Sequence, residues 1–182
     1  MTEKIPNNAA QLVKDAKDLF QAGKYLAAAE SFSKAASVYI ELEERCLAAE
    51  MKNNQCVSLL QADQPQSALE VVKGTSKVFD LAGDRLKMAM ALANEGTALK
   101  ELGCIDQATG KFSEALVIFK EIGETDLLVQ TSQSISSLKL KSRNIPGALF
   151  SMQQGLEAVN KPNLRQKILL NLLKIPNKFL ER

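Results

Sequence analysis

The sequence has no histidine and no tryptophan, and only three cysteines and five prolines among its 182 residues. Without histidine there is no Ser–His or Cys–His nucleophile pair of the usual kind, no His-ligated zinc, and no side chain whose unperturbed pKa lies near neutrality. No G-x-x-x-x-G-K-[ST] or G-x-G-x-x-G stretch is present to cradle phosphates. The carboxylates scatter along helical faces instead of pairing in an apolar setting. The expectation is a protein that is not an enzyme, with no catalytic residues, no metal and no cofactor. An excess of one charge is also lacking: 23 Lys+Arg stand against 21 Asp+Glu, a net charge of +2. Such a balance argues against a dedicated nucleic-acid binder, as does the absence of aromatic residues interleaved with a basic stripe. No apolar run is long enough to span a bilayer. The opening stretch MTEKIPNNAA has no basic-then-apolar layout of a secretory signal, which points to a cytoplasmic protein. Cys46, Cys56 and Cys104 form an odd, scattered set without metal-ligand spacing, as suits a reducing compartment.

What is present is a periodic apolar pattern. Hydrophobic residues make up 46% of a chain long enough to bury a substantial core in one domain, residues 1–182. Ala28, Ala68, Ala108 and Ala148 fall 40 residues apart. Ala16, Cys56, Gly96 and Ser136 form a second small column in the same frame; Phe32, Val72, Phe112 and Met152, then Tyr39, Phe79, Phe119 and Val159, form large ones. Self-similarity at such a period marks a stacked repeat, here with copies at about 8–43, 44–83, 84–123 and 124–161. Each copy reads as two helices around a turn at Ala22–Gly23, Asp63–Gln64–Pro65, Leu102–Gly103 or Arg143–Asn144, giving seven to nine helices in all. Gly83, Gly123 and Asn163, residues that tolerate the left-handed conformation, punctuate the boundaries between copies. Small columns suit close helix crossings, where a side chain larger than Ala or Ser would push the backbones apart. Cys56 in such a column is expected to pack as a small hydrophobe.

The stretch ANEGTALKELGCIDQATGKFSEAL, Ala93 to Leu116, resembles the tetratricopeptide repeat (TPR): Gly96 at the small position of the first helix, Gly103 in the turn, then Ala108, Phe112 and Ala115. The other copies depart from the pattern at Asp63 and Thr75, and at Arg143 and Gly155. The period is longer than the usual unit of about 34 residues and resembles the extended variety of kinesin light chains and related bacterial scaffolds. HEAT or armadillo repeats also suit a long period, although their signatures do not place a Gly turn before Ala-x-x-x-Phe-x-x-Ala. The resemblance implies an all-α, right-handed superhelix of four hairpins plus a C-terminal capping helix. It also implies a concave groove, lined by the first helices, that takes an extended peptide or a partner helix.

Carried onto this sequence, the groove column holds Lys14, Asn54, Asn94 and Ser134, with Lys17, Gln21 and Gln61 further along the same faces. The family's two-lysine clamp for a C-terminal carboxylate is not reproduced, since Met90 and Asn94 stand where basic residues are needed. The implied role is a protein-interaction scaffold. A membrane-surface adaptor and a peptide-responsive regulator are the alternatives. The adaptor reading rests on residues 161–182, whose six basic residues and one acidic residue give a net charge of +5. In the 40-residue frame this segment takes the first-helix place of a fifth copy, as a capping helix over about 163–175, stopped by Pro176 before a loose basic tail 176–182. Ile168, Leu169, Leu172 and Leu173 are expected to be buried there, and that burial to outweigh any membrane contact.

Overall fold

The computed structural model describes the backbone of residues 7–159 and 161–180, and the side chains of 8–159 and 161–173. Among the described residues there are ten helices, packed as antiparallel neighbours in two compact units, 1–104 and 105–182. The first unit holds α1 (Asn7–Gln21), α2 (Tyr25–Glu41), α3 (Arg45–Gln61), α4 (Pro65–Val72), α5 (Thr75–Leu81) and α6 (Arg85–Glu101). The second holds α7 (Ile105–Ile122), α8 (Thr125–Lys141), α9 (Ile145–Glu157) and α10 (Leu164–Leu180).

One turn recurs throughout. Helix α1 ends with the Lys24 amide donating to the Leu19 carbonyl and the Gly23 amide to the Phe20 carbonyl, while Gly23 sits at φ +72°. These paired bonds satisfy carbonyls that the helix end leaves without intrahelical partners. The same left-handed residue then returns every 20 residues, at Glu43, Asp63, Gly83, Gly103, Gly123 and Arg143. Each time the following amide closes onto the carbonyl five residues back, at 2.8–2.9 Å. The turns within copies and between copies are therefore the same turn, and the 40-residue period is two structural steps of 20. Glu43, Asp63 and Arg143 take a conformation that costs a residue with a Cβ about 1 kcal/mol or more. After each turn the next helix starts at once. Pro65 and Pro146 fall in first turns, where a missing N–H is harmless. The carboxylate of Asp84 accepts the Lys87 amide as a cap.

With so little loop, neighbouring helices within each unit lie against one another, and both small columns are buried: Ala28, Ala68, Ala108 and Ala148 in one, Ala16, Cys56, Gly96 and Ser136 in the other. Phe32, Val72 and Phe112, with Tyr39, Phe79 and Phe119, fill the space beside them. The α8–α9 pair approaches closely. The Ser136 hydroxyl donates to the Ala148 carbonyl at 2.9 Å, joining the two small columns directly. A Cβ on Gly155 would lie 2.8 Å from the Ser132 Cβ, so this departure from the repeat pattern is a close contact.

Two differences from the sequence expectation stand out. The second helix of the second copy is split into α4 and α5 by Lys73 and Gly74, the latter at φ +80°, and the Thr75 hydroxyl donates to the Val72 carbonyl across the break. Phe79 still reaches the core. The second difference is at the end of the chain. Asn163 acts as a side-chain cap: its carboxamide accepts the Gln166 amide at 2.9 Å while Gln166 accepts the Asn163 amide at 2.8 Å. Helix α10 does not stop at Pro176 but runs to Leu180; the proline removes one backbone donor without ending the helix. The side chains of 174–182 lie outside the described residues. Of the four residues expected to be buried, only Leu173 is; Ile168, Leu169 and Leu172 are exposed. Among the described residues, helix α10 packs on α9, which covers one side of it.

Two substitutions involving glycine should have opposite signs. Arg143→Gly relieves the left-handed backbone and is expected to raise unfolding stability by about 1 kcal/mol. Gly155→Ala forces a methyl against Ser132 and is expected to lower it by about 1–3 kcal/mol. Urea denaturation of the two variants measures both.

Candidate functional site

Three of the groove residues meet in the first unit. Lys17 and Gln21 lie one turn apart on α1, and Asn54 faces them from α3, around a cleft of about 220 Å³ that is also lined by Phe20, Phe32 and Val57. The helix registers account for the arrangement. Positions 17 and 21 share a face of α1, as do 54 and 57 on α3, while Phe32 comes up from α2 as the buried floor. Phe20 is held edge-on by Tyr25, with ring centroids 5.3 Å apart across the α1–α2 turn. Lys17 and Gln21 are exposed and Asn54 is half-buried, and none of the three side chains has a partner among the described residues. The cleft thus combines an apolar floor, an unpaired ammonium, and two carboxamides that both donate and accept. Its volume suits one anchoring side chain or a chain end, below the size of a typical small-molecule site.

The remaining groove residues do not join it. Lys14 is exposed one turn earlier on α1 and does not line the cleft, and Gln61 is exposed at the end of α3. Ser134 belongs to the second unit, where its hydroxyl donates to the Gln130 carbonyl of its own helix at 3.1 Å. Asn94 is engaged elsewhere: its Nδ2 donates to Oδ1 of the buried Asn53 at 3.3 Å, linking α6 to α3. A second link between the same helices is Lys87 on α6, 2.9 Å from Glu50 and 3.6 Å from Asp84. The Glu50 hydrogen bond holds the Lys87 ammonium pKa above its ordinary value. Nothing in the sequence pattern marks Asn53, because its partner lies 41 residues away.

Cys56, one residue before Val57, is buried in its small column, and burial with the nearby Glu95 carboxylate pushes its thiol pKa up to about 12. Cys46 and Cys104 are exposed. No group of three potential metal ligands occurs among the described residues.

A second, larger cleft of about 610 Å³ opens in the second unit between α7, α8 and α9, lined among others by Val117, Phe119, Lys120, Phe150, Gln154 and Glu157. The repeat frame carries a faint signal for it. Val117 and Phe150 are apolar where the corresponding residues are Ser37 and Lys77, and Glu30, Glu70 and Gly110.

Comparison with known proteins then assigns the family. The family model described as soluble NSF attachment protein, SNAP, matches residues 2–169, and the chain belongs to that family. No curated protein matches. Among solved structures, aspartyl phosphate phosphatase F from Bacillus subtilis superposes with a TM-score of 0.77 at 17% identity, over 91% of this chain and 44% of that one. BtubC (BKLC) from P. vanneervenii superposes with a TM-score of 0.63 at 16% identity, over 91% of this chain and 80% of that one. The chain therefore spans less than half the length of the phosphatase, and at these identities the likeness is one of fold: an all-helical, tetratricopeptide-like hairpin repeat.

The buried thiol gives a chemical test. Iodoacetamide at mildly alkaline pH should modify Cys46 and Cys104 in the native protein, and Cys56 only after unfolding, as read by peptide mass spectrometry. A raised pKa favours the neutral thiol in the fold. The stability it contributes is complete below the ordinary thiol range and is lost as pH rises towards about 12. Cys56→Ala should flatten that alkaline loss.

Proposed function

We propose that this member of the soluble NSF attachment protein family is a non-catalytic interaction protein that grips an extended segment of a partner protein through the Lys17–Gln21–Asn54 cleft. The observation that carries this reading is the convergence of three unpartnered polar side chains over an aromatic floor. An apolar side chain of the ligand enters over Phe20, Phe32 and Val57. Its backbone amide and carbonyl meet the carboxamides of Asn54 and Gln21, and a carboxylate alongside meets Lys17. Asn94, tied to Asn53, serves in this scheme to hold α6 against α3 rather than to touch the ligand.

The family's own description, attachment protein, supports a protein partner. The phosphatase activity of the Bacillus subtilis protein belongs to that protein, with which this chain shares a fold. The non-catalytic reading rests on a sequence without histidine and on a Cys56 thiol held in its neutral form. No helix among the described residues is long and apolar enough to cross a membrane, and the proposed location is the cytoplasm.

An array of extended peptides, varied in acidic and apolar residues and read by fluorescence polarisation against the intact chain, tests the cleft. Peptides with an apolar residue next to a carboxylate should bind best. The Lys17→Ala, Asn54→Ala double variant should lose about 1–3 kcal/mol of affinity with unchanged helicity. Equal binding by the double variant would remove the cleft from the recognition surface.

A further inference from the structure

Helix α10 has two apolar sides, and α9 covers only one. Gln166 and Leu170 are half-buried and Leu173 is 8% exposed, so these three face the body of the second unit. Leu164, Ile168 and Leu172, each four residues after the last, are 74%, 53% and 57% exposed and form an open stripe; Leu169 lies at its edge. A stripe spaced i, i+4, i+8 lies along one face of a helix. The charges around it all have one sign. Arg165 and Lys167 are exposed, and neither has a partner among the described residues. No acidic residue occurs anywhere between Glu157 and Glu181. On the helical register Arg165 falls on one side of the stripe and Lys167 on the other.

We propose that α10 is an interfacial helix that lies on an anionic lipid surface, with Leu164, Ile168 and Leu172 in the acyl boundary and Arg165 and Lys167 against the headgroups. An apolar stripe flanked by basic residues is the chemistry of helices that rest in the plane of a membrane. Charge selects this occupant over a second copy. Two α10 stripes facing each other would bring Arg165 and Lys167 of both copies together with no carboxylate on the helix to offset them. The helix is not a membrane span, and none of the described helices is long and apolar enough to be one. The stripe and the Lys17–Asn54 cleft are built from different residues, so attachment to a membrane and capture of a partner can be tested apart.

Flotation of the intact chain with vesicles is the test, comparing phosphatidylcholine with phosphatidylcholine containing phosphatidylserine, at low and physiological salt. Binding is expected to the anionic vesicles only and to weaken with salt. Ile168→Glu with Leu172→Glu should abolish it. Both sites are exposed, so circular dichroism and the unfolding midpoint should be unchanged. Arg165→Gln with Lys167→Gln should weaken it about thirtyfold. No binding by the folded chain, equal binding to neutral vesicles, or binding that survives either double variant would overturn the proposal. So would an intact chain that is dimeric by light scattering and becomes monomeric with Leu172→Glu, since the stripe would then face a second copy.

Discussion

A connection of two or three residues bent through one left-handed residue sets most of this structure. When each helix must reverse direction within so short a turn, the next helix has nowhere to go except alongside the last, and their backbones are drawn close. The turn recurs every 20 residues from Gly23 to Arg143, so the unbroken helices between consecutive turns run 17–18 residues and their contact positions recur in phase. Small residues are then required where the helices cross and large ones beside the crossings. Ala16, Ala28, Phe32 and Tyr39 are all buried, and so are their counterparts in the next two copies. The hydroxyl of Ser136 bonded to the carbonyl of Ala148 marks how near two backbones come when both columns are small.

The candidate cleft is a by-product of the same constraint. Because α1 and α3 present equivalent faces in equivalent registers, side chains inside the helices are brought together from positions 17 and 54. Phe20 belongs to the cleft and also braces the first turn through Tyr25. Cys56 shows the other consequence of a close crossing: its thiol is in the buried column one residue from the cleft, held neutral by its surroundings and removed from chemistry. The repeat does not need Lys17, Gln21 or Asn54 for packing, and none of the three side chains has a partner among the described residues.

How far the sequence predicts all this depends on the range of the physics involved. The small columns and the glycine turns are local and periodic, so the hairpin repeat is readable in advance; Lys17, Gln21 and Asn54, named only from the family resemblance, line one cleft. The half-period of 20 is hidden, since Glu43, Asp63 and Arg143 occupy the turn position without the glycine that advertises it. The α4–α5 break is hidden for a different reason: a lone Gly74 within an apolar helical pattern costs only about 1 kcal/mol in a continuous helix, and spacing cannot tell the outcomes apart. The Asn53–Asn94 bond spans helices and has no local signature. Exposure along α10 follows from how many neighbours the helix has, a property of its surroundings rather than of its own residues.

The most direct measurement of the account is amide hydrogen exchange at the residues that follow the left-handed positions: Lys24, Glu44, Gln64, Asp84, Cys104, Glu124 and Asn144. These residues lie between helices, where amides ordinarily exchange at loop rates, yet each donates to the carbonyl five residues earlier at 2.8–2.9 Å. If the turn organises the fold, all seven amides are protected to nearly the same degree as the helix interiors beside them. Exchange at the rates of open loops, with the helix interiors still protected, would contradict it.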